Sequence, residues 1–328
     1  MSYQNVGTPR FYVDTPLFLK QAGYFTITGG IQQDSSEYIH SLYGLNPTST
    51  LTGTFTGGVG YVFPNIPGDN KLYVAALGHR GLQWVSVKTA NISGSPVNSD
   101  ITNFVEVVNW SSPLLYDGFT IGTYESPEPS QSHYYIYPAC YEYEGSSISI
   151  GALSAGTYYD MPHSPEMSLT MTREMDGVKR IRTKGGADLV NRKYTKTPAW
   201  GDAPAWELYN TNPPSPTLSR SGRRTWDLNF NYLQDTDVFP AISNMNYYLS
   251  EGWTQANSGS NTLLTSNNFY SQVIHRTNGG QLPFIFQPDN SNNSPDNFAI
   301  CKFDMNEYKF EQVTNGVYNM KLKIREVW

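Results

Sequence analysis

The stretch TWDLNFNYL, Thr225–Leu233, decides the fold class. Trp226, Leu228, Phe230 and Tyr232 alternate with Asp227, Asn229 and Asn231. Successive side chains of a strand point to opposite faces, so a period of two predicts a strand with one buried and one wet face. Upstream, Met167, Leu169 and Met171 alternate with Ser168, Thr170 and Thr172, and Asp176–Gly177 supplies a tight-turn pair. Residues 167–184 are therefore expected to form a hairpin. Downstream, Tyr318, Met320, Leu322, Ile324 and Trp328 share one face, with Lys321, Lys323 and Arg325 on the other. A strand ending on Trp is expected to pack on something.

Further towards the start, KLYVAALG (71–78), LQWVSVK (82–88), FVEVVNW (104–110), HYYIYPACYEY (133–143) and SISIGAL (147–153) are β-branched or aromatic runs. Gly, Pro, Asn, Asp and Ser clusters bound them at hairpin spacing, which predicts an all-β sandwich. Three helices are expected. TPLFLKQAG (15–23) has Thr15 as cap and Pro16 in its first turn, NFYSQVIHR (268–276) has Ser266 or Asn267 as cap, and a short one lies within 238–250 around Pro240. In RTNGGQLPFIFQPD (276–289), Gly279 or Gly280 is expected at positive φ just past the second helix, with Pro283 stopping it. The similar RTKGG (182–186) follows a strand, so the two are not one motif repeated.

Composition supports this reading. Among 328 residues only 15% are charged and 14% are aromatic, including 24 Tyr, which suits pleated and half-buried surfaces. Residues 1–158 hold 5 Lys+Arg against 11 Asp+Glu, a balance of −6, whereas 159–328 hold 17 of each. This step suggests an N-terminal β-rich domain, 1–158, facing outward, and a C-terminal domain, 159–328. No basic stripe points to nucleic acid as a partner, and Lys179, Arg180, Arg182 and Lys184 read as the solvated face of a strand. Cys140 and Cys301 are expected to be free and buried. The start, MSYQNVGTPRFYVD, lacks a basic-then-apolar leader pattern, and no apolar run is long enough to insert in a membrane.

The chemical motifs are incomplete. TGGVGYV (56–62) lacks the Lys and following helix of a nucleotide loop, and ALSAG (152–156) lacks the first Gly of a hydrolase elbow. His163 and Glu166 are two ligand types close together, which is too few for a metal. DNSNNSPDN (289–297) offers Asp289, Asn293 and Asp296 as calcium ligands but lacks the central Gly and the closing Glu. Glu125, Glu128, Glu142 and Glu144 lie among tyrosines, but nothing places a second acid across from them as glycoside hydrolysis requires. No catalytic residue, cofactor or metal is expected. Trp84, Trp110, Tyr135, Tyr137, Tyr141 and Tyr143 are the candidates for stacking on glycan or on another chain.

The series SLTMTRE, RTKGGADLVN, PAWGD, SGRRTWDLNFNYL, LPFIFQPD, FAICKFD and VYNMKLKIREVW, over roughly 160–328, resembles virion structural proteins of tailed bacteriophages. It is most similar to tail-tip and baseplate proteins of the distal-tail type. The resemblance implies a β-sandwich or open barrel with one packed helix, in a mainly β chain. It further implies a non-enzymatic virion tail component, assembled in the host cytoplasm, that forms a homo-oligomeric ring and contacts other tail proteins. Trp226, Arg325 and Trp328 become the candidate assembly contacts. The alternatives are a receptor- or glycan-binding virion protein acting through the N-terminal domain, and a capsid decoration or connector protein.

Overall fold

A computed structural model describes residues 6–24, 45, 51–53, 59–61, 63–64, 66, 69–79, 82–91, 104–109, 119–125, 134–142, 147–167, 170–174, 179–191, 199–200, 203–204, 222–240, 262–294 and 297–327. The fold is mainly β, built on a ten-stranded antiparallel sheet. From edge to edge it runs Thr170–Glu174, Arg223–Gln234, Val317–Glu326, Ala299–Phe303, Phe284–Gln287, Arg10–Asp14, Ala152–Asp160, Lys71–Leu77 and Phe119–Glu125. A tenth strand, Phe310–Thr314, pairs with the start of Val317–Glu326 on the edge whose far end pairs with Ala299–Phe303. A second sheet of five strands has Tyr134–Glu142 at its centre, beside Leu82–Asn91 and then Phe104–Asn109.

The two sheets pack face to face. Val59, Phe63, Val85, Val87, Ile136 and Cys140 of the smaller sheet share one core with Leu72, Val74, Ala76, Leu153 and Ala155 of the larger. This is the sandwich that the alternating runs predict. At the other end of the large sheet, Trp226, Leu228, Phe230, Met320, Leu322 and Ile324 line a second core with Phe11, Phe284, Phe286 and Phe303. Phe269, Val273 and Ile274 cover it from a helical turn, Tyr270–His275. The two cysteines are free and lie in different cores.

The step in charge near residue 158 falls inside the strand Ala152–Asp160. That strand pairs with Lys71–Leu77 on one side and Arg10–Asp14 on the other, and the latter pairs in turn with Phe284–Gln287. A division at 158 would therefore cut a strand hydrogen-bonded along both edges. Two buried ion pairs tie distant parts together. Arg276 grips Asp69 through both guanidinium nitrogens at 2.8 and 2.7 Å and also donates to Thr157 Oγ1 and the Leu264 carbonyl. Arg224 holds Glu326 and donates to the Phe298 carbonyl.

Several local expectations shift by a residue. The first helix, Thr15–Gln21, is capped by Asp14, whose Oδ1 accepts the Leu17 N–H at 2.8 Å; Thr15 is already helical. The second is a turn of π-helix, and Asn268 Oδ1 accepts the Ser271 N–H in place of Ser266 or Asn267. The third does not start where it is expected: a single turn, Asp235–Val238, precedes it, Phe239 is extended at φ −116° and ψ 144°, and residues 241–250 lie outside the described residues. Asn278, Gly279 and Gly280 all take positive φ after the π-helix, at 53°, 67° and 85°. The 167–184 hairpin does not form. Thr170–Glu174 pairs with Arg223–Asp227, and Lys179–Arg182 pairs with Asp188–Asn191 around a turn at Thr183–Ala187. There Gly186 has φ 84°, and Thr183 Oγ1 accepts the Ala187 N–H, which fixes the later turn.

Candidate interaction surface

The surface begins where a strand leaves the core. Thr170–Glu174 forms one edge of the large sheet, and its outer side carries backbone groups that no strand of the described chain pairs. Arg325 donates to Glu174 Oε2 through Nε and Nη2 at 3.0 and 2.7 Å, reaching across Arg223–Gln234. Both side chains are partly exposed, so the pair fixes the edge strand without burying charge.

Beyond Glu174 the chain becomes a two-stranded arm. Lys179–Arg182 pairs with Asp188–Asn191, joining Ile181 to Leu189 and Arg180 to Val190 across the strands. No described residue from Glu166 to Val190 is buried. Ile181 and Leu189 are 51% and 58% exposed and sit as a cross-strand pair, where packing is the usual source of stability. Of the eight large apolar side chains exposed among the described residues, five lie on this edge and arm: Met167, Met171, Ile181, Leu189 and Val190. A two-stranded ribbon without a covering layer is marginal in water, so its apolar face is suited to a partner. Lys179, Arg180, Arg182 and Lys184 outnumber Asp188 and give the arm a surplus of three positive charges.

The candidate contacts distribute unevenly over this geometry. Trp226 is 1% exposed, edge-on to Phe286 with ring centroids 5.2 Å apart and under the Arg224 guanidinium, so it is part of the chain's own core and not a contact. The buried face that the alternation predicts is this core. Arg325 holds the base of the arm. Trp328, Trp110 and Tyr143 lie outside the described residues. For Trp84, Tyr135, Tyr137 and Tyr141 the backbone alone is described: Trp84 faces Tyr141 in register, and Tyr137 faces Lys88. Ile136 and Cys140, between them, turn into the core.

The remaining motifs have structural uses. Ser154 of ALSAG is buried; it donates to Asp14 Oδ2 at 2.7 Å and meets the Tyr73 hydroxyl at 2.7 Å. Burial pushes the Asp14 carboxyl up to about 6, against the two hydrogen bonds that favour its charge. His163 packs on Phe230 while Glu166 accepts from Asn231, so the two do not converge. In the 289–297 loop, the carbonyls of Asp289 and Asn292 accept Asn297 Nδ2, and Asn293 Oδ1 accepts Gln287 Nε2. The Asp289 carboxylate itself accepts the Ser291 N–H and hydroxyl, so Asp289 and Asn293 serve the loop's own turns; Asp296 lies outside the described residues. Glu125 is exposed at the far edge of the large sheet, the Glu142 side chain is not described, and Glu128 and Glu144 lie outside the described residues.

One feature had no counterpart in the pattern reading. Tyr232 does not share the face of Phe230; it is 69% exposed at φ 60°, and Leu233 takes the inward position. Residues 231 and 232 together oppose Asn319, a bulge in the long strand. On the other side of Val317–Glu326 a second bulge lies between Gln312 and Thr314, and its extra residue, Val313, is 51% exposed. No helix among the described residues is long and apolar enough to cross a membrane, and no group of three or more metal-ligating side chains occurs among them. No protein-family model matches the chain, and no curated protein matches it.

Proposed function

We propose that the chain is a non-enzymatic structural component of a tailed-phage virion, a tail or baseplate protein. It would form a homo-oligomeric ring and contact neighbouring tail proteins. The observation that carries the assembly reading is the arm: of the eight large apolar side chains exposed among the described residues, five lie on the edge strand, just before it, or on the hairpin that follows. Interfaces draw on such apolar positions with basic residues at their rim. The virion context rests on the resemblance of the 160–328 strings to distal-tail-type proteins. Closed rings of identical subunits use head-to-tail contacts, which require two different surfaces on each copy. Native mass spectrometry of the full chain tests the assembly reading. A discrete oligomer is expected at tens of micromolar, and a monomer throughout that range would remove it. Labelling on purified particles tests the context, since a signal on the capsid instead of the tail would favour the decoration reading.

A further inference from the structure

The two bulges place Tyr232 and Val313 on either side of the same segment, Tyr318–Asn319. Two strand spacings of about 4.8 Å separate them, so they form one patch about 10 Å across. Tyr232 holds an uncommon backbone conformation for a bulky residue, and its N–H donates to Asn319 Oδ1 at 3.2 Å. The adjoining turn is fixed by the Asp235 N–H donating to the Gly316 carbonyl at 2.8 Å. The backbone therefore presents the aromatic ring outward by construction, as bulges do where a side chain must be re-aimed. The surrounding chain carries Asp235, Asp237, Glu307 and Glu311 against Lys309 and Lys321, a surplus of two negative charges. Glu311 is itself paired with Lys309 at 2.6 Å.

The arm has the complementary character: Ile181 and Leu189 share one face with Lys179, and the arm as a whole carries a surplus of three positive charges. The two surfaces are also at opposite ends of the long strand. The arm springs from Glu174, which pairs with Arg223, whereas Tyr232 lies nine residues further along. At about 3.3 Å per residue that is about 30 Å. In the chain itself neither surface covers the other, since both stay exposed.

We infer that the Lys179–Asn191 hairpin of one copy docks on the Tyr232–Val313 patch of a second copy of this chain. This rests on the homo-oligomer reading above and names its contact. Basic and apolar residues of the arm meet acidic and apolar residues of the patch, and like ends repel. The contact is head-to-tail, because arm and patch are different surfaces. A tyrosine in such a contact is the residue type that dominates interface energetics.

The test uses the full chain and two sets of variants. Ile181→Asp with Leu189→Asp disables the docking face of the arm, and Lys179→Glu, on that same face, does so by charge alone. Tyr232→Asn disables the patch while keeping a residue that tolerates positive φ. Each is expected to weaken self-association by about 30-fold or more, as loss of a hot-spot contact does. An equimolar mixture of an arm variant and the patch variant is then expected to give dimers that grow no further, one intact arm on one intact patch. A wild-type chain that is monomeric overturns the docking and the ring reading together. A wild-type oligomer unaffected by both arm variants overturns the docking alone. Dissociation by each variant without dimers in the mixture refutes the pairing of these two surfaces.

Discussion

Removing the Asp69 carboxylate should be among the costliest single changes in this chain. Asp69 and Arg276 are both essentially inaccessible, and the guanidinium meets the two carboxylate oxygens at 2.8 and 2.7 Å. Burial pushes the Asp69 carboxyl up and the arginine opposes it, which is the balance expected of a buried pair. In Asp69→Ala, Arg276 keeps Thr157 Oγ1 and the Leu264 carbonyl but has no counter-charge. Leaving a buried charge uncompensated costs about 3–5 kcal/mol. For 328 residues the entropy of unfolding is about 0.7 kcal/mol/K, so the melting midpoint should fall by about 4–7 °C. The assay is thermal unfolding of Asp69→Ala, Arg276→Met and the double variant Asp69→Ala/Arg276→Met. The double should be more stable than Asp69→Ala, because no charge remains buried, although the Leu264 carbonyl still loses its donor. Strict additivity of the single effects, or a loss in Asp69→Ala below about 1 kcal/mol, would refute the reasoning.

Two further outcomes follow from groups described above. Asp14 has a carboxyl at about 6 when folded against an ordinary 3.8, so the folded state binds the proton more tightly. Its contribution to stability is fully present below pH 3.8 and is lost as pH rises through 6, by about 3 kcal/mol in all. Asp14→Asn should keep the helix cap and show no such loss between pH 4 and 7; parallel melting curves for wild type and variant would contradict it. Gly279 and Gly280 both sit at positive φ, but a Cβ at 279 meets open space, while one at 280 lies 2.8 Å from Phe303 Cβ and 2.5 Å from Tyr308 Oη. Gly279→Ala should cost about 1–2 kcal/mol from backbone strain alone. Gly280→Ala should cost more, and equal melting midpoints would show that the corner is not packed this way.

What the sequence disclosed was local. The alternation of Trp226, Leu228 and Phe230 gave the inward face of a strand, because burial on one side imposes a period of two. The glycines after the π-helix were readable for the same kind of reason, since the αL conformation suits few other residues. Partners were not readable. Thr170–Glu174 could pair with the next run or with Arg223–Asp227, and pairing depends on geometry assembled from far along the chain. The strand Arg10–Asp14 was missed although FYV precedes the helix cap, because a run that short resembles the approach to any helix. Tyr232 fitted the alternation and broke it in three dimensions, since nothing in a binary pattern marks one inserted residue. For the candidate surface, Lys179, Arg180 and Arg182 were visible as a solvated strand face, but the exposure of Ile181 and Leu189 was not, because pattern alone cannot say that no second layer covers them.

The place of Arg10–Asp14 has a further consequence for how the protein is made. Phe11 lies opposite Tyr159 on one side and Phe286 on the other. The Arg10–Asp14 strand leaves the ribosome long before Phe284–Gln287, and the central seam can close only after residue 287 has been synthesised. Contacts of such long sequence separation slow folding, because the chain entropy of closing the loop comes before any stabilising contact. At about 5–20 residues per second, the stretch between Asp160 and Phe284 leaves the nascent chain several seconds with that seam half built. During that interval an uncovered apolar strand is available to any holdase that binds extended segments, and a truncation short of residue 284 would leave it permanently so.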